Sequence, residues 1–208
     1  MTTQRLIDFI ELAHGRRAIR RYLDKPVPQD LLNILLETAT WSPSAHNRQP
    51  WRFAVLDAPA SKEKLARAMG NRLRADRTAD GDPPEAIERD VARSFARITG
   101  APILIVVCLS MEDMDRYEDG RRSLAEHTMA VQSVAMAAQT LWLATHAAGL
   151  GACWLCAPLF VPDLVQNTLN LPPDWEPQGL LTVGWPAEEK QKGRYPWPSR
   201  VRFLDREI

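Results

Sequence analysis

The sequence predicts a single α+β domain, with a mixed sheet flanked by helices, and three observations support this prediction. Helical patterns come first along the chain, and strand patterns then alternate with helical ones. The run ILIVVCL, Ile103 to Leu109, is apolar throughout, as in a strand that is buried on both faces. The stretch Thr128 to Leu150 is long and mostly apolar, which predicts a helix at the centre of a domain or dimer.

The first half of the chain should be mainly helical. Leu6, Phe9 and Ile10 share one helical face, and Gly15 should end that helix. The predicted elements of this half are a helix from about Thr3 to His14, a helix that begins after Pro28, a loop from Ser42 to Pro50, a strand from Trp51 to Leu56 and a short helix from Lys62 to Met69.

The second half should alternate between helices and strands. Asn71 to Pro84 is polar and contains Gly81 and Pro83, so we expect a mobile excursion there. The predicted elements after it are a helix from Glu85 to Ile98, the strand from Ile103 to Leu109, a polar loop from Ser110 to Arg122, the long helix ended by Gly149 and Gly151, a strand from Ala152 to Ala157, a short helix from Pro162 to Leu169 and a strand from Gln178 to Val183.

The 208 residues suit one compact domain, and no linker divides the range 1–208. From about residue 186 to 208 the chain is polar and rich in proline, with Tyr195, Trp197 and Phe203 as its aromatic residues. Such a tail cannot form a core of its own. We expect it to be an arm that lies across a partner subunit, and a frayed terminus is the alternative.

Composition argues against several functional classes. The formal net charge is zero, so nothing indicates a general attraction to nucleic acid or anionic lipid. Polar residues such as Gln132 and Gln139 interrupt the long apolar stretch and argue against a membrane span. Three cysteines imply no disulfide framework, and no second Cys/His pair accompanies Cys153 and Cys156 at metal-site spacing. A reducing, cytoplasmic setting without a structural metal is expected.

A first candidate site is the basic run Arg16-Arg17-Ala18-Ile19-Arg20-Arg21, directly after the first predicted helix. A guanidinium group suits phosphate because its planar fork donates two parallel hydrogen bonds. From these residues alone, a solvated basic loop remains an equal alternative.

A second candidate is the loop PSAHNRQPW, from Pro43 to Trp51. Asn47 and Gln49 each carry a donor and an acceptor, which suits the edge of a heterocycle such as the pyrimidine ring of a flavin. For the loop taken alone, the favoured interpretation is a rigid turn whose amides satisfy its own backbone.

Together, Arg-Arg-x-x-Arg and Pro-Ser-x-x-Asn-x-Gln-Pro-Trp, with an amphipathic helix between them, resemble the nitroreductase superfamily that depends on flavin mononucleotide (FMN). Gly149-Leu150-Gly151 and the basic Lys192-Gly193-Arg194 stand at the expected places, so the resemblance covers essentially the whole chain. It implies a nitroreductase-like fold in which two identical subunits intertwine around long central helices and hold each flavin at their interface.

The resemblance also implies the site residues. Arg16, Arg17 and Arg20 would hold the FMN phosphate and ribityl chain, and Arg194 with Lys192 would return to the phosphate from the arm. The remaining assignments are Ser44 and Asn47 of the partner subunit on the ring system, Gln49 as a support of the loop, Ala157 and Pro158 against the flavin, and Asp76 and Met129 in a second-ligand pocket.

Within the superfamily, the phrases Met111 to Tyr117 and Cys153 to Phe160 resemble the reductase domain of the bifunctional ligase that matures a deazaflavin coenzyme. The expected activity is hydride transfer from NAD(P)H or a reduced deazaflavin to a small conjugated acceptor of the nitro, enone or deazaflavin-precursor type. This chemistry requires no catalytic side chain. Two alternatives stay open, namely an enzyme that fragments its own flavin and a flavin or deazaflavin carrier without turnover.

Overall fold

The computed structural model describes residues 2–205 and confirms the α+β fold class. The helices of this range are α1 (Gln4–Gly15), α2 (Gln29–Thr40), α3 (Pro59–Ala79), α4 (Pro84–Thr99), α5 (Gly120–Ala147) and α6 (Pro162–Leu169). The strands are β1 (Trp51–Leu56), β2 (Ile103–Leu109), β3 (Gly151–Leu155) and β4 (Glu176–Gly184). Short 3₁₀ turns cover Ala45–Asn47, Ala157–Phe160 and Trp197–Arg200.

The four strands form one sheet in the order β1-β2-β4-β3, and each neighbouring pair is antiparallel. A single parallel bridge joins Ala18 to Ala152 at the β3 edge. Within residues 2–205, the mixed character of the sheet is therefore confined to this bridge, which extends the sheet by the segment that follows α1.

Strand β2 lies at the centre of the core, as its apolar sequence predicts. Its odd-numbered residues, including Ile105 and Val107, pack with α2 and α5 on one face of the sheet. Its even-numbered residues, including Leu104 and Val106, pack with α3 and α6 on the other face. Successive side chains of a strand point to opposite faces, so a strand between two helical layers must be apolar at every position.

The predicted excursion over Asn71 to Pro84 is wrong, because α3 continues through Ala79. This stretch has few apolar residues, and ion pairs fasten it to α4 instead. Arg74 pairs with Glu88 at 2.5 Å, and Arg77 pairs with Asp90. The sequence shows the charged residues of this segment, but it does not show which helix pairs with them.

Other helix and strand boundaries also differ from the predicted ones. Helix α5 begins at Gly120, inside the stretch Ser110 to Arg122 that was predicted to be a loop, since Asp119 caps it by accepting a hydrogen bond from Arg122 N at 2.9 Å. Strand β3 ends at Leu155, so Ala157 belongs to a 3₁₀ turn and not to the predicted strand. No helix within residues 2–205 is long and apolar enough to cross a membrane.

The segment after α1 runs along the β3 edge and meets the segment after β4. Ile19 N donates to Ala152 O at 3.0 Å, and Ala187 N donates to Arg21 O at 3.0 Å. The basic run near the start of the chain is thereby placed beside the basic tail near its end.

Candidate functional site

Four cations meet where the end of α1 faces the tail, namely Arg16, Arg17, Lys192 and Arg194. We call this group the first basic cluster. A cavity of about 350 Å³ is lined by Arg17, Lys192 and Arg194, together with Ala13, His14 and Gly193. Within residues 2–205, no member of the cluster forms an ion pair with a carboxylate. Such a concentration of positive charge can attract an anion.

One atom of Arg17 also lacks a hydrogen-bond acceptor. Its Nη1 donates to the carbonyl oxygens of His14 and Arg16, the latter at 2.8 Å. Its Nε is buried and has no hydrogen-bond partner. Leaving a buried donor unpaired costs about 1–3 kcal/mol, and more for a charged group. A ligand oxygen at this position would remove that cost.

Arg16 lies over an aromatic ring of α5. Its guanidinium carbon is 4.1 Å from the centroid of the Trp142 ring. Burial, Arg194 and Arg17, in that order, lower the pKa of Arg16 from its ordinary value. Trp142 thus holds Arg16 beside like charges, in a place where an anionic ligand would be stabilised.

His146 lies one helical turn beyond Trp142 and faces the same segment. An added Cβ at Gly15 would lie 2.9 Å from His146 Nε2, so a larger residue here would displace the imidazole. Burial lowers the pKa of His146, and the charges of Arg16 and Arg17 lower it further. The imidazole is therefore mainly neutral at pH 7 and adds no charge to the first basic cluster.

The second predicted site, the loop between α2 and β1, has a strained backbone. His46, Asn47 and Gln49 have φ values of 50°, 55° and 52°, in the left-handed region that side chains with a Cβ rarely adopt. Ser44 Oγ accepts a hydrogen bond from Gln49 N at 3.0 Å and closes the loop. Strain held in this way is typical of ligand-binding segments.

Helix α5 supports this loop from below. Ala45 N donates to Ser133 Oγ at 3.2 Å, and Ser133 Oγ donates to Met129 O at 2.7 Å. On the outer side, Arg48 pairs with Asp115 at 2.6 Å. Met129 lies one turn of α5 before Ser133, the residue that contacts the loop. One helix positions both candidate sites, with Ser133 under the loop and Trp142 and His146 near the first basic cluster.

The other predicted residues lie as follows. Gln49 Nε2 points back to Asn47, at 3.5 Å from its carbonyl oxygen and 3.4 Å from its Oδ1, as a support of the loop would. Arg20 is separate from the first basic cluster and lines a different cavity with Arg97 and Lys190.

The turn after β3 exposes Ala157 and buries Pro158. Asp76 lies on an exposed face of α3 and pairs with Arg72 at 2.7 Å. None of the contacts of Asp76 reaches the first basic cluster or the loop, so its place in a second-ligand pocket stays a prediction.

Sequence reasoning missed two residues of the site. Trp142 and His146 lie in the apolar stretch, where their spacing of four residues marks one face of a helix. That spacing predicts that the two side chains share a helix face. It does not predict their contact with Arg16 and Gly15, which come from another part of the chain.

A model of the nitroreductase family matches residues 13–185. This range includes the basic run after α1 and the amide-bearing loop between α2 and β1. The chain belongs to the nitroreductase family. It is 33% identical over 199 residues to a 5,6-dimethylbenzimidazole synthase of Rhodospirillum rubrum, covering 91% of this chain and 88% of that protein. It is 29% identical over 208 residues to an NADH dehydrogenase of Thermus thermophilus, covering 88% of this chain and 89% of that protein.

The fold agrees with solved structures of this family. A nitroreductase from Desulfovibrio desulfuricans, crystallised in complex with FMN, superposes with a TM-score of 0.73 and 23% identity, covering 100% of this chain and 99% of that chain. As a member of the nitroreductase family, the protein is an FMN-dependent oxidoreductase.

The residues present fit this cofactor. The first basic cluster offers several guanidinium donors and an unpaired buried Nε to a group that carries two negative charges, as the FMN phosphate does. The closer resemblance to a deazaflavin reductase domain stays a prediction, since the two relatives above are a 5,6-dimethylbenzimidazole synthase and an NADH dehydrogenase.

Proposed function

We propose that the protein is a homodimeric FMN enzyme in which Arg16, Arg17, Lys192 and Arg194 hold the flavin phosphate. The observation that carries this proposal is the first basic cluster itself. Its cations converge without a carboxylate, and one buried guanidinium N–H lacks an acceptor. A phosphate would supply both the missing charge and the missing acceptor.

The strained loop would then hold the ring system. Asn47 is exposed at its tip, where its amide can meet the polar edge of a heterocycle, and Gln49 supports it from within the loop. Ser44 closes the loop by accepting a hydrogen bond from Gln49 N. We assign Ser44 and Asn47 to the flavin of the partner subunit, Ala157 and Pro158 to the backbone beside the flavin, and Arg20 to the ribityl chain or ring.

The homodimer is proposed from exposed apolar surface. No residue of helix α1 is fully buried, and Leu6, Phe9 and Ile10, which line one face, are 47%, 54% and 39% exposed. Trp197 and Leu204 of the tail are 61% and 84% exposed. Apolar surface of this extent marks an interface, and a second copy with its own α1 and arm would cover it.

When bound, FMN supplies the hydride chemistry, and the protein binds, orients and shields the reactants. We propose NAD(P)H or a reduced deazaflavin as the donor. For the acceptor we propose a small conjugated molecule of the nitro, enone or deazaflavin-precursor type. The free thiols of Cys108 and Cys153 suit a cytoplasmic location.

The test is the flavin content and absorption spectrum of the purified protein and of two variants. Arg16→Ala and Arg17→Ala should each weaken FMN binding about tenfold to a hundredfold, as expected for a lost charge-assisted contact. Arg89→Ala, which removes an exposed charge from α4, is the control and should retain its flavin. Flavin content that is the same in all four proteins would overturn the phosphate assignment.

Fragmentation of the flavin is a second candidate, favoured by the similarity to a 5,6-dimethylbenzimidazole synthase. The two activities are separated by reducing the flavin without oxygen and then admitting air. Full return of the isoalloxazine absorption supports hydride transfer, whereas its permanent loss with release of a benzimidazole supports fragmentation. A bound flavin that no donor can bleach would indicate a carrier.

A further inference from the structure

A second group of cations lies further along the same two segments. Residues 20–22, α4 and the tail enclose a cavity of about 590 Å³. Its lining includes Arg20, which the proposed function assigns to the flavin, and four further cations that we call the second basic cluster: Arg21, Arg93, Arg97 and Lys190. Arg17 of the first cluster and Arg21 of the second are four residues apart, about 13 Å along an extended chain, so the two clusters are neighbours but separate.

The cavity holds more positive charge than its one lining carboxylate can balance. Glu188 accepts a hydrogen bond from Arg20 N at 2.6 Å and pairs with Lys190 Nζ at 2.9 Å. Arg93 pairs with Asp90. Arg21 and Arg97 have no carboxylate partner within residues 2–205. The cavity can therefore accept an anion with two negative charges.

The cations that line this cavity come from three separate parts of the chain. Arg21 belongs to the segment after α1, Arg97 to α4 and Lys190 to the tail. Burial raises the pKa of the Cys153 thiol, and Arg20, Arg97 and Lys190 lie near enough to oppose that rise. Charges that three separate parts of the chain bring to one cavity form a cradle rather than a scattered basic surface.

We propose that the second basic cluster binds a phosphate monoester of the electron donor, namely the ribose 2′-phosphate that distinguishes NADPH from NADH. The proposal rests on the proposed function, which supplies the donor. FMN carries a single phosphate, and the first basic cluster accounts for it. A second phosphate site beside the flavin therefore belongs to another ligand. Guanidinium groups such as those of Arg21 and Arg97 match the phosphate geometry with paired hydrogen bonds.

The first experiment measures binding alone, with NADP⁺ as the probe and NAD⁺ as the matched ligand without the phosphate. Calorimetric titration of the FMN-saturated protein should show NADP⁺ binding at least tenfold more tightly than NAD⁺. Arg97→Ala and Arg21→Ala should each remove most of this difference. Arg89→Ala takes a charge from the same helix outside the cavity and should retain it. Equal affinities for the two nucleotides in the unaltered protein would overturn the proposal.

The second experiment distinguishes a phosphate of the electron donor from a phosphate of the acceptor. The ratio of kcat/KM for NADPH to that for NADH should exceed ten and should fall about tenfold in Arg97→Ala. If NADP⁺ binds as expected but this ratio is unchanged, the phosphate belongs to an acceptor and the assignment to the donor is wrong.

Failure of the proposed function is distinguishable from failure of the site. If the protein took up no FMN, the binding titration would be repeated without it on Arg97→Ala and Arg17→Ala. Loss of NADP⁺ binding in Arg97→Ala alone supports the second basic cluster, and loss in Arg17→Ala alone contradicts it.

Discussion

The guanidinium carbon of Arg16 lies 4.1 Å from the centroid of the Trp142 ring. Arg16 directly follows α1, whereas Trp142 lies near the end of α5. Their contact orients one member of the first basic cluster. Trp142 Nε1 is buried without a hydrogen-bond partner, so the ring is held here by packing and by the cation above it.

Trp142→Leu should weaken FMN binding by about threefold to thirtyfold, because a cation–π contact contributes about 0.5–2 kcal/mol. Riboflavin, which lacks the phosphate, should lose much less affinity. Trp142→Phe retains an aromatic face and should recover most of the loss. Quenching of flavin fluorescence measures all three affinities. An equal loss for FMN and riboflavin would show that Trp142 supports the fold and not the phosphate site.

FMN binding should be coupled to protonation of His146. Arg16 and Arg17 help to lower the pKa of His146, and a bound phosphate would offset their charge and raise that pKa. Near pH 6, binding to the unaltered protein should therefore take up more protons than binding to His146→Gln. The phosphate itself has a pKa of about 6 and releases protons beside arginines, so the difference between the two proteins isolates the histidine.

Calorimetry in buffers with different ionisation enthalpies counts these protons. As the pH falls from 7 towards 5.5, the FMN affinity of the unaltered protein should rise relative to that of His146→Gln. The same proton count in both proteins would show that His146 does not sense the ligand.

Tyr22→Phe should lower the free energy of unfolding by about 1–3 kcal/mol, because the hydrogen bond that the hydroxyl donates to Ile19 O and its second hydrogen bond, with Thr182 Oγ1, are both lost. Tyr22 Oη lies 2.6 Å from Ile19 O and 2.6 Å from Thr182 Oγ1, and so fastens the basic segment to β4. Urea unfolding at pH 7 measures this change. A loss below about 0.5 kcal/mol, the lower end for a net hydrogen bond, would contradict a role for the hydroxyl in stability.

The same residue predicts a pH dependence. Burial raises the pKa of Tyr22 well above its ordinary value of 10. Above pH 10 the unfolded chain releases this proton while the folded chain retains it, so the free energy of unfolding should fall as the pH rises. Tyr22→Phe should show a smaller decline between pH 9 and pH 11 in the same urea experiment.

Gly179→Ala should be strongly destabilising, by about 3 kcal/mol or more, since an added Cβ would lie 2.0 Å from Cζ2 of Trp154. The indole crosses the backbone of β4 at this glycine. Gly120→Ala is the matched control, because no atom lies within 4 Å of its added Cβ. Thermal unfolding of both variants measures the difference, and equal midpoints would contradict the close packing of Trp154 on β4.

The local sequence pattern was sufficient to predict much of the secondary structure. The bounds of β1, β2 and α6 agree with the prediction, because each is a short apolar or amphipathic run between clear breakers. The prediction failed where stability comes from another element. Residues 71–79 are helical because α4 supplies charges for Arg74 and Arg77, and neither partner is visible from the stretch itself.

The sequence by itself determined the family and the chemistry that its side chains can offer. Guanidinium and amide groups in two short motifs indicate a phosphate and a heterocycle, whatever the fold around them. Only the tertiary structure decided which of these groups meet. It placed Arg16 over Trp142 and close to Arg17 and Arg194, and it set Arg20 in a separate cavity. The physical reason is that electrostatic and packing contacts depend on distance in space, and pairing of the segment after α1 with the tail creates those distances across most of the chain.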